Sequence, residues 1–276
     1  MARLPAPRGL VAFISDFGLD DPYVGIVRGV VERLYHGSVR VVDVSHGVRP
    51  FSVLDGAYTL YTSYRWFPRG TVFLVVVDPG VGSERRAVAV ATRNYYFVGP
   101  DNGVLHPAAE EDGIVEVRLL NNPAFHLRPV SHSFHGRDIF APAAAALAAG
   151  VPLEALGDPL EPGSLKRLTL RQPCPGEGEP VEALVVHVDR FGNLALGLEG
   201  ACLEKLCRDG AVEVETPRGE TFEARCLPVF SHAKPGELVL YMNSLGFPEL
   251  AVNLGSAEER LGATLGGRVR LRPRGG

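Results

Sequence analysis

The 276-residue sequence has no broad excess of either charge: 28 basic against 32 acidic side chains leave a formal net charge of −4. No basic field exists to gather nucleic acid or an anionic membrane surface, so partners of those kinds are disfavoured. Long apolar runs are also missing. The longest strongly apolar one, VFLVVV at 72–77, is far short of the roughly 20 residues needed to span a bilayer. The opening MARLPAPRGL places prolines where a signal peptide needs an apolar core, which predicts a cytoplasmic protein. Lysine is scarce, occurring only at 166, 205 and 234; this is a composition bias without mechanistic content. The four cysteines, Cys174, Cys202, Cys207 and Cys226, form no C-x-x-C pair and match neither a zinc site nor a secreted disulfide framework. They are expected to be buried free thiols in a reducing compartment. Also absent are G-x-G-x-x-G, G-x-x-x-x-G-K-[ST], G-x-S-x-G and H-E-x-x-H, which removes the usual signals for a phosphate cradle, a nucleophile elbow and a zinc protease.

What is present is alternation. The first half switches between β-rich runs and helical periodicity, the pattern of a mainly parallel sheet with flanking helices. Strands are predicted at 9–18, 38–46, 71–78, 86–92, 95–99 and 114–120. A helix over 22–35 would place Tyr23, Ile26, Val27, Val30, Val31 and Leu34 on one stripe, with Asp21 as cap and Pro22 at its first position. A second helix over 51–67 would carry Phe51, Leu54, Tyr58 and Tyr61 in register, and an alanine-rich helix runs from Ile139 to Ala149. The Pro- and Gly-rich stretch 158–180 is not expected to form a core element and marks a boundary. The predicted organisation is an α/β domain over 1–165, a linker over 166–180 and a small β-barrel or sandwich over 181–276.

Ligands of open α/β sheets bind beyond the carboxyl ends of the strands. Here those ends carry Asp16, then Ser45 and His46, then Asp78 and Arg85, then Asp101 and Asn102. The loop before the alanine-rich helix adds His132, His135, Arg137 and Asp138. Each residue has an ordinary alternative: a turn former, a helix cap, a solvated arginine, a structural histidine. Five successive junctions of this kind argue together for a site. A carboxylate at the first junction suits a diol or a cation. A metal ion gathered by Asp16, Asp101 and His135 is the rival reading from residue types alone.

The segments SDFGLDDPYVG, VVDVSHGVRPFSVLDGA, FPRGTVFLVVVDPGVGSERRAVAV, FVGPDNGVL, FHGRDIFAPAAAALAAG, VDRFGNL and YMNSLGFPELAVNLG run through nearly the whole chain in order. In them the chain resembles the S-adenosylmethionine hydroxide adenosyltransferases, hydrolases related to the fluorinase and chlorinase enzymes. The resemblance implies a two-domain fold, a homotrimer with active sites between subunits, and S-adenosylmethionine as substrate with no metal and no cofactor. It implies hydrolysis at the ribose 5′ carbon to adenosine and L-methionine by Asp78, Arg85 and His135. The substrate-binding residues it implies are Asp16 on the ribose hydroxyls, Phe51 near the sugar, and Asp189 on the methionine ammonium. Phe191, Asn193 and Phe230 would serve the adenine side and Ser244 the methionine carboxylate, with Phe134 and Leu254 as further substrate-binding residues. Leu245 stands where the fluorinase has an arginine on that carboxylate. Fluorinases carry Tyr in place of Asp78 and Ser in place of Gly136, so the resemblance points to water over halide. A halide-using adenosyltransferase and a binding protein without turnover are the remaining alternatives.

Overall fold

The computed structural model describes residues 4–174, 176 and 178–273. The chain divides into two compact units, Met1–Leu168 and Thr169–Gly276. In the first, the order is β1 (Leu10–Ser15), α1 (Tyr23–Tyr35), β2 (Arg40–Ser45), α2 (Val53–Ser63), β3 (Val72–Val76), β4 (Ala87–Thr92), β5 (Tyr96–Pro100), α3 (His106–Asp112), β6 (Ile114–Leu119), α4 (Ala141–Ala148) and β7 (Pro159–Leu160). Seven strands form one sheet in the order β2-β1-β3-β5-β4-β6-β7. The β2-β1-β3-β5 half is parallel and the remaining pairings are antiparallel.

Strands β1, β3 and β5 are buried along their whole length, as parallel strands covered on both faces must be. That is why they read as unbroken apolar runs rather than alternating ones. Phe13, Leu74 and Val98 are fully enclosed there beside Val27 and Val31 of α1 and the alanines of α4. Each large side chain so buried contributes about 2 kcal/mol. The small alanines of α4 let that helix lie close against α1 and the sheet.

Helix α1 departs from the predicted stripe. Val24, Val27, Val30 and Val31 face the core, whereas Tyr23, Ile26 and Leu34 are exposed. Its N-cap is Pro22, without a side-chain cap, so Asp21 does not cap it. Proline supplies no N–H and sets φ, which is enough to start the helix. Helix α2 begins later than predicted: Ser52 is the N-cap, its side chain accepting from the Asp55 N–H. Phe51 stays outside the helix with φ of 66°. The alanine-rich helix is preceded by one turn of π-helix, Gly136–Phe140. Within 158–180, Pro159–Leu160 pairs with β6, and Leu165 and Leu170 are buried, so that stretch contributes to the core after all. Its two buried leucines, more than its prolines, decide this.

The second unit contains β8 (Val181–Val188), β9 (Leu194–Leu196), α5 (Ala201–Leu206), β10 (Ala211–Glu215), β11 (Thr221–Cys226), β12 (Leu238–Met242), β13 (Pro248–Val252), α6 (Ala257–Leu261) and β14 (Arg268–Pro273). The strands close into a barrel in the order β10-β11-β12-β13-β9-β8-β14. Closure leaves no sheet edge. The barrel is filled by Val185, Leu196, Val212, Leu240, Leu250 and Leu271 among others.

The cysteines are not free thiols. Cys174 is bonded to Cys202 and Cys207 to Cys226, and among the described residues no free cysteine exists. Spacing along the chain concealed this: the partners are 28 and 19 residues apart, yet their Cα atoms lie 5.3 and 5.5 Å apart. Both bonds staple α5, one to the segment entering the barrel and one to the end of β11. The expectation of free, reduced thiols therefore fails. Among the described residues no helix is long and apolar enough to cross a membrane.

Candidate active site

In the first unit, the carboxyl ends of β1 and β3 and the loop before the π-turn open onto a cavity of about 260 Å³. Asp16, Phe17, Tyr23, Phe51, Asp78, Phe134 and His135 are on its walls. Five of them are residues the sequence singled out as functional; Tyr23 and Phe17 are not. Phe17, Tyr23 and Phe134 form a triangle of rings with centroids 5.3 to 5.8 Å apart. A helix stripe assigned Tyr23 to the core, and its position in the first turn of α1 brings it to the cavity instead.

The polar group at the base is tightly linked. Arg85 Nε donates to Asp78 Oδ1 at 2.8 Å and Arg85 Nη2 donates to Asp78 Oδ2. The same Nη2 lies 2.8 Å from His135 Nδ1. Arginine has no acceptor, so His135 Nδ1 accepts and the neutral ring carries its proton on Nε2. Burial first, and the Arg85 charge second, hold the His135 pKa below its ordinary 6.5. The guanidinium lies over the Phe140 ring, 5.0 Å from its centroid. Both members of the ion pair are nearly enclosed, with side-chain exposures of 10% and 6%.

The loop 79–84 makes this pair possible. The N–H of Val81 donates to the Asp78 carbonyl, that of Ser83 to the Gly80 carbonyl, and that of Arg85 to Ser83 Oγ. The chain is thereby turned back on itself between Asp78 and Arg85. Gly82 has φ of 78°, and a Cβ there would stand 2.4 Å from the His132 carbonyl oxygen. Gly82 therefore packs directly against the His132 backbone. Asp138, almost wholly buried, accepts from the Ser131 N–H and from Arg137 and so fixes the 131–138 loop that carries His135.

Asp16 holds the opposite wall. Its Oδ2 accepts the Phe51 N–H at 2.8 Å, which pins Phe51 in its left-handed conformation. Burial raises the Asp16 pKa; the Phe51 N–H lowers it in part and the nearby Asp78 charge adds to the rise. His46 lies behind the site: its Nδ1 is 2.7 Å from Ser15 Oγ and its carbonyl accepts the Gly18 N–H. Asp101 and Asn102 are also supports, Asp101 accepting from Arg86 and from the Lys166 N–H, and Asn102 donating to the Val77 carbonyl. The metal rival on Asp16, Asp101 and His135 is not assembled. Among the described residues no group of three His, Cys, Asp or Glu side chains is placed to hold an ion.

The second unit has a pocket of its own, about 430 Å³, lined by Phe191, Asn193, Phe230, Tyr241, Val252, Leu254 and Gly255. Four of these were singled out from sequence. Asp189 and Ser244 are not on its wall. Asp189 instead closes the turn between β8 and β9, accepting from the Phe191 N–H and from the Asn193 N–H and side-chain amide at 2.8 to 2.9 Å. Ser244 and Leu245 form the exposed tip of the β12–β13 hairpin. Tyr241 and Val252 were missed: Tyr241 lies on the outward face of β12, and Val252, a barrel-core residue, borders the pocket only because it ends β13, which alternation does not reveal.

Comparison with known proteins gives the family. The SAM hydroxide adenosyltransferase N-terminal domain matches residues 11–157 and the corresponding C-terminal domain residues 183–270. A protein named (R)-S-adenosyl-L-methionine hydrolase from Salinispora tropica is 42% identical over 267 residues, 96% of this chain and 98% of that one. One of the same name from Thermus thermophilus is 40% identical over 268 residues, 95% and 98% of the two chains. A fluorinase from Actinoplanes is 29% identical over 279 residues, covering 88% and 91%. A crystal structure of an uncharacterized conserved protein from Thermotoga maritima superposes with a TM-score of 0.87 at 39% identity, covering 95% of this chain and 99% of the other. The chain belongs to the SAM hydroxide adenosyltransferase family.

Proposed function

We propose that the protein hydrolyses S-adenosylmethionine: water attacks the ribose 5′ carbon, the C5′–S bond breaks, and adenosine, L-methionine and a proton are released. The observation that carries this reading is the buried Asp78–Arg85–His135 linkage at the base of a cavity whose other wall presents Asp16. The sulfonium leaves as a neutral thioether and needs no acid. What remains is to hold an oxygen nucleophile in line, a matter of positioning and of excluding other water.

Asp78 is fixed by two parallel donors from Arg85, a geometry only a guanidinium supplies. Its remaining lone pairs accept the hydrogen of a water directed at the 5′ carbon and take or relay the proton. His135 is not the base in this scheme, because its Nδ1 is occupied by Arg85 and its Nε2 bears hydrogen; it donates to the nucleophile oxygen and aims it. Asp16 accepts the two ribose hydroxyls. Phe51 and Phe134 confine the sugar. On the second unit, Phe191, Asn193, Phe230 and Leu254 receive the purine between apolar faces, and Asp189 and Ser244 meet the amino-acid end. The two pockets serve one site when copies of the chain assemble, the second unit of one subunit meeting the first unit of its neighbour in a trimer.

Water is favoured over halide for a reason visible in the cavity. Asp16 and Asp78 both line it, and an anion between carboxylates in a poorly screened space is repelled. At Gly136 a Cβ would stand 2.9 Å from Val76 Cγ1, so the serine of the fluorinases has no room. The test is incubation with S-adenosylmethionine in excess chloride or fluoride, with chromatography of the products. Adenosine and methionine in equal amounts are expected; a 5′-halo-5′-deoxyadenosine, or no product, contradicts the proposal.

A further inference from the structure

We propose that Glu249 is a positioning residue for the second-unit pocket: by binding Asn243 and Tyr241 at once, it holds the hairpin tip Ser244–Leu245 in fixed relation to the aromatic wall. Glu249 sits in β13, with 6% exposure, between β12 and β9. Burying a carboxylate is costly, and an apolar residue of similar size usually serves a purely structural strand position as well or better. The carboxylate has a use here. Tyr241 OH donates to Oε1, and Asn243 Nδ2 donates to Oε2 at 2.7 Å. Tyr241 is a wall residue of the pocket.

Asn243 is the other arm. Its Oδ1 accepts the N–H groups of Leu245 and Phe247, each at 3.0 Å, so the side-chain amide shapes the tip from within. That works in one amide orientation only, oxygen toward the tip and nitrogen toward Glu249. An acceptor-only carboxylate enforces it, since a donor facing Nδ2 would favour the flipped amide. Arg171 braces the tip from the far side, donating to the Gly246 carbonyl at 2.8 Å and lying 4.0 Å from the Phe247 ring centroid. Burial raises the Glu249 pKa; the Asn243 and Tyr241 donors oppose that rise, with Asp189 and His187 as the other charged or titratable neighbours.

The inference rests on S-adenosylmethionine being the substrate, with the tip at its amino-acid end. The full-length protein is compared with Glu249→Leu, with Asn243→Ala and with Glu249→Gln, measuring KM and kcat for S-adenosylmethionine and product inhibition by adenosine. Glu249→Leu removes both acceptors at similar volume and leaves the Asn243 amide unheld. KM is expected to rise about tenfold, the equivalent of one charge-assisted hydrogen bond, while kcat and the adenosine inhibition constant stay within about twofold. Glu249→Gln keeps an acceptor for Asn243 Nδ2 while its own amide N–H donates to the Tyr241 hydroxyl, which can accept, so KM stays within about threefold. Should Glu249→Leu fail to fold, Asn243→Ala, which leaves the buried acid in place, is expected to raise KM alike. Unchanged KM in Glu249→Leu and Asn243→Ala overturns the proposal, as does an adenosine inhibition constant that rises in step with KM, since a general loosening of the barrel would do that. Wild-type protein that releases no adenosine from S-adenosylmethionine overturns the functional reading first and this one with it.

Discussion

The two pockets are built from opposite materials. That of the first unit is organised by charge: an enclosed aspartate–arginine pair, a neutral histidine turned by the same arginine, and a second aspartate across the cavity. That of the second is organised by surface: aromatic rings and aliphatic side chains whose polar support, Glu249, stands behind the wall. Each also exposes a large apolar residue in a left-handed backbone conformation, Phe51 at 74% exposure and Leu254 at 85%. Such conformations cost about 1 kcal/mol or more and persist where the surroundings dictate them; for Phe51 the dictating group is Asp16. Under the proposed function the contrast separates roles, bond breaking on one unit and recognition on the other.

The contrast is broken most severely at Asp78. Asp78→Asn keeps the shape but gives up the acceptor for the nucleophile's proton, so kcat should fall about a thousandfold with KM changed by less than about threefold. Steady-state kinetics decide; an equal loss in both would move Asp78 from chemistry to binding. Next is the integrity of the second unit alone. Reducing the two disulfides should cost about 3 kcal/mol for each loop released, visible as a lower melting temperature with reductant, while kcat at 25 °C is retained. An unchanged melting curve contradicts the staple role of the two bonds.

Asp16→Asn should raise KM by about ten- to a hundredfold through loss of charge-assisted hydrogen bonds to the ribose, with a smaller effect on kcat. The sign of its pH dependence follows from burial. The Asp16 pKa is raised above 3.8, so binding that needs the ionised form is present at neutral pH and is lost as pH falls through that raised value. The acid limb of kcat/KM should therefore begin at higher pH than for an ordinary aspartate and move to lower pH in Asp16→Asn. The smallest effect belongs to the recognition wall. Phe230→Ala should cost about 1 kcal/mol of affinity, roughly fivefold in KM, with kcat unchanged. A fall in kcat there would break the division between the pockets.

Most of the first unit was legible in sequence, because buried parallel strands announce themselves as apolar runs and their ends as Asp or His beside glycine. Asp78 and His135 stood out as candidates at such junctions, whereas Arg85, by type an ordinary solvated arginine, was joined to them only by the family resemblance. Tyr23 was not, because a helical stripe does not tell the core-facing side from the adjacent cavity-facing turn. Phe51 was read as the start of a helix, since nothing in its type foretells a positive φ. The cysteine pairs were hidden by their separation, and Glu249 by looking like any polar residue in an alternating strand. In each case the missing information was tertiary.

One measurement reaches the central claim directly: turnover of S-adenosylmethionine in water enriched in oxygen-18, with mass spectrometry of both products. Attack at the 5′ carbon predicts one labelled oxygen per turnover, in the 5′ hydroxyl of adenosine, and unlabelled methionine. Unlabelled adenosine, or methylthioadenosine with labelled homoserine, would contradict it.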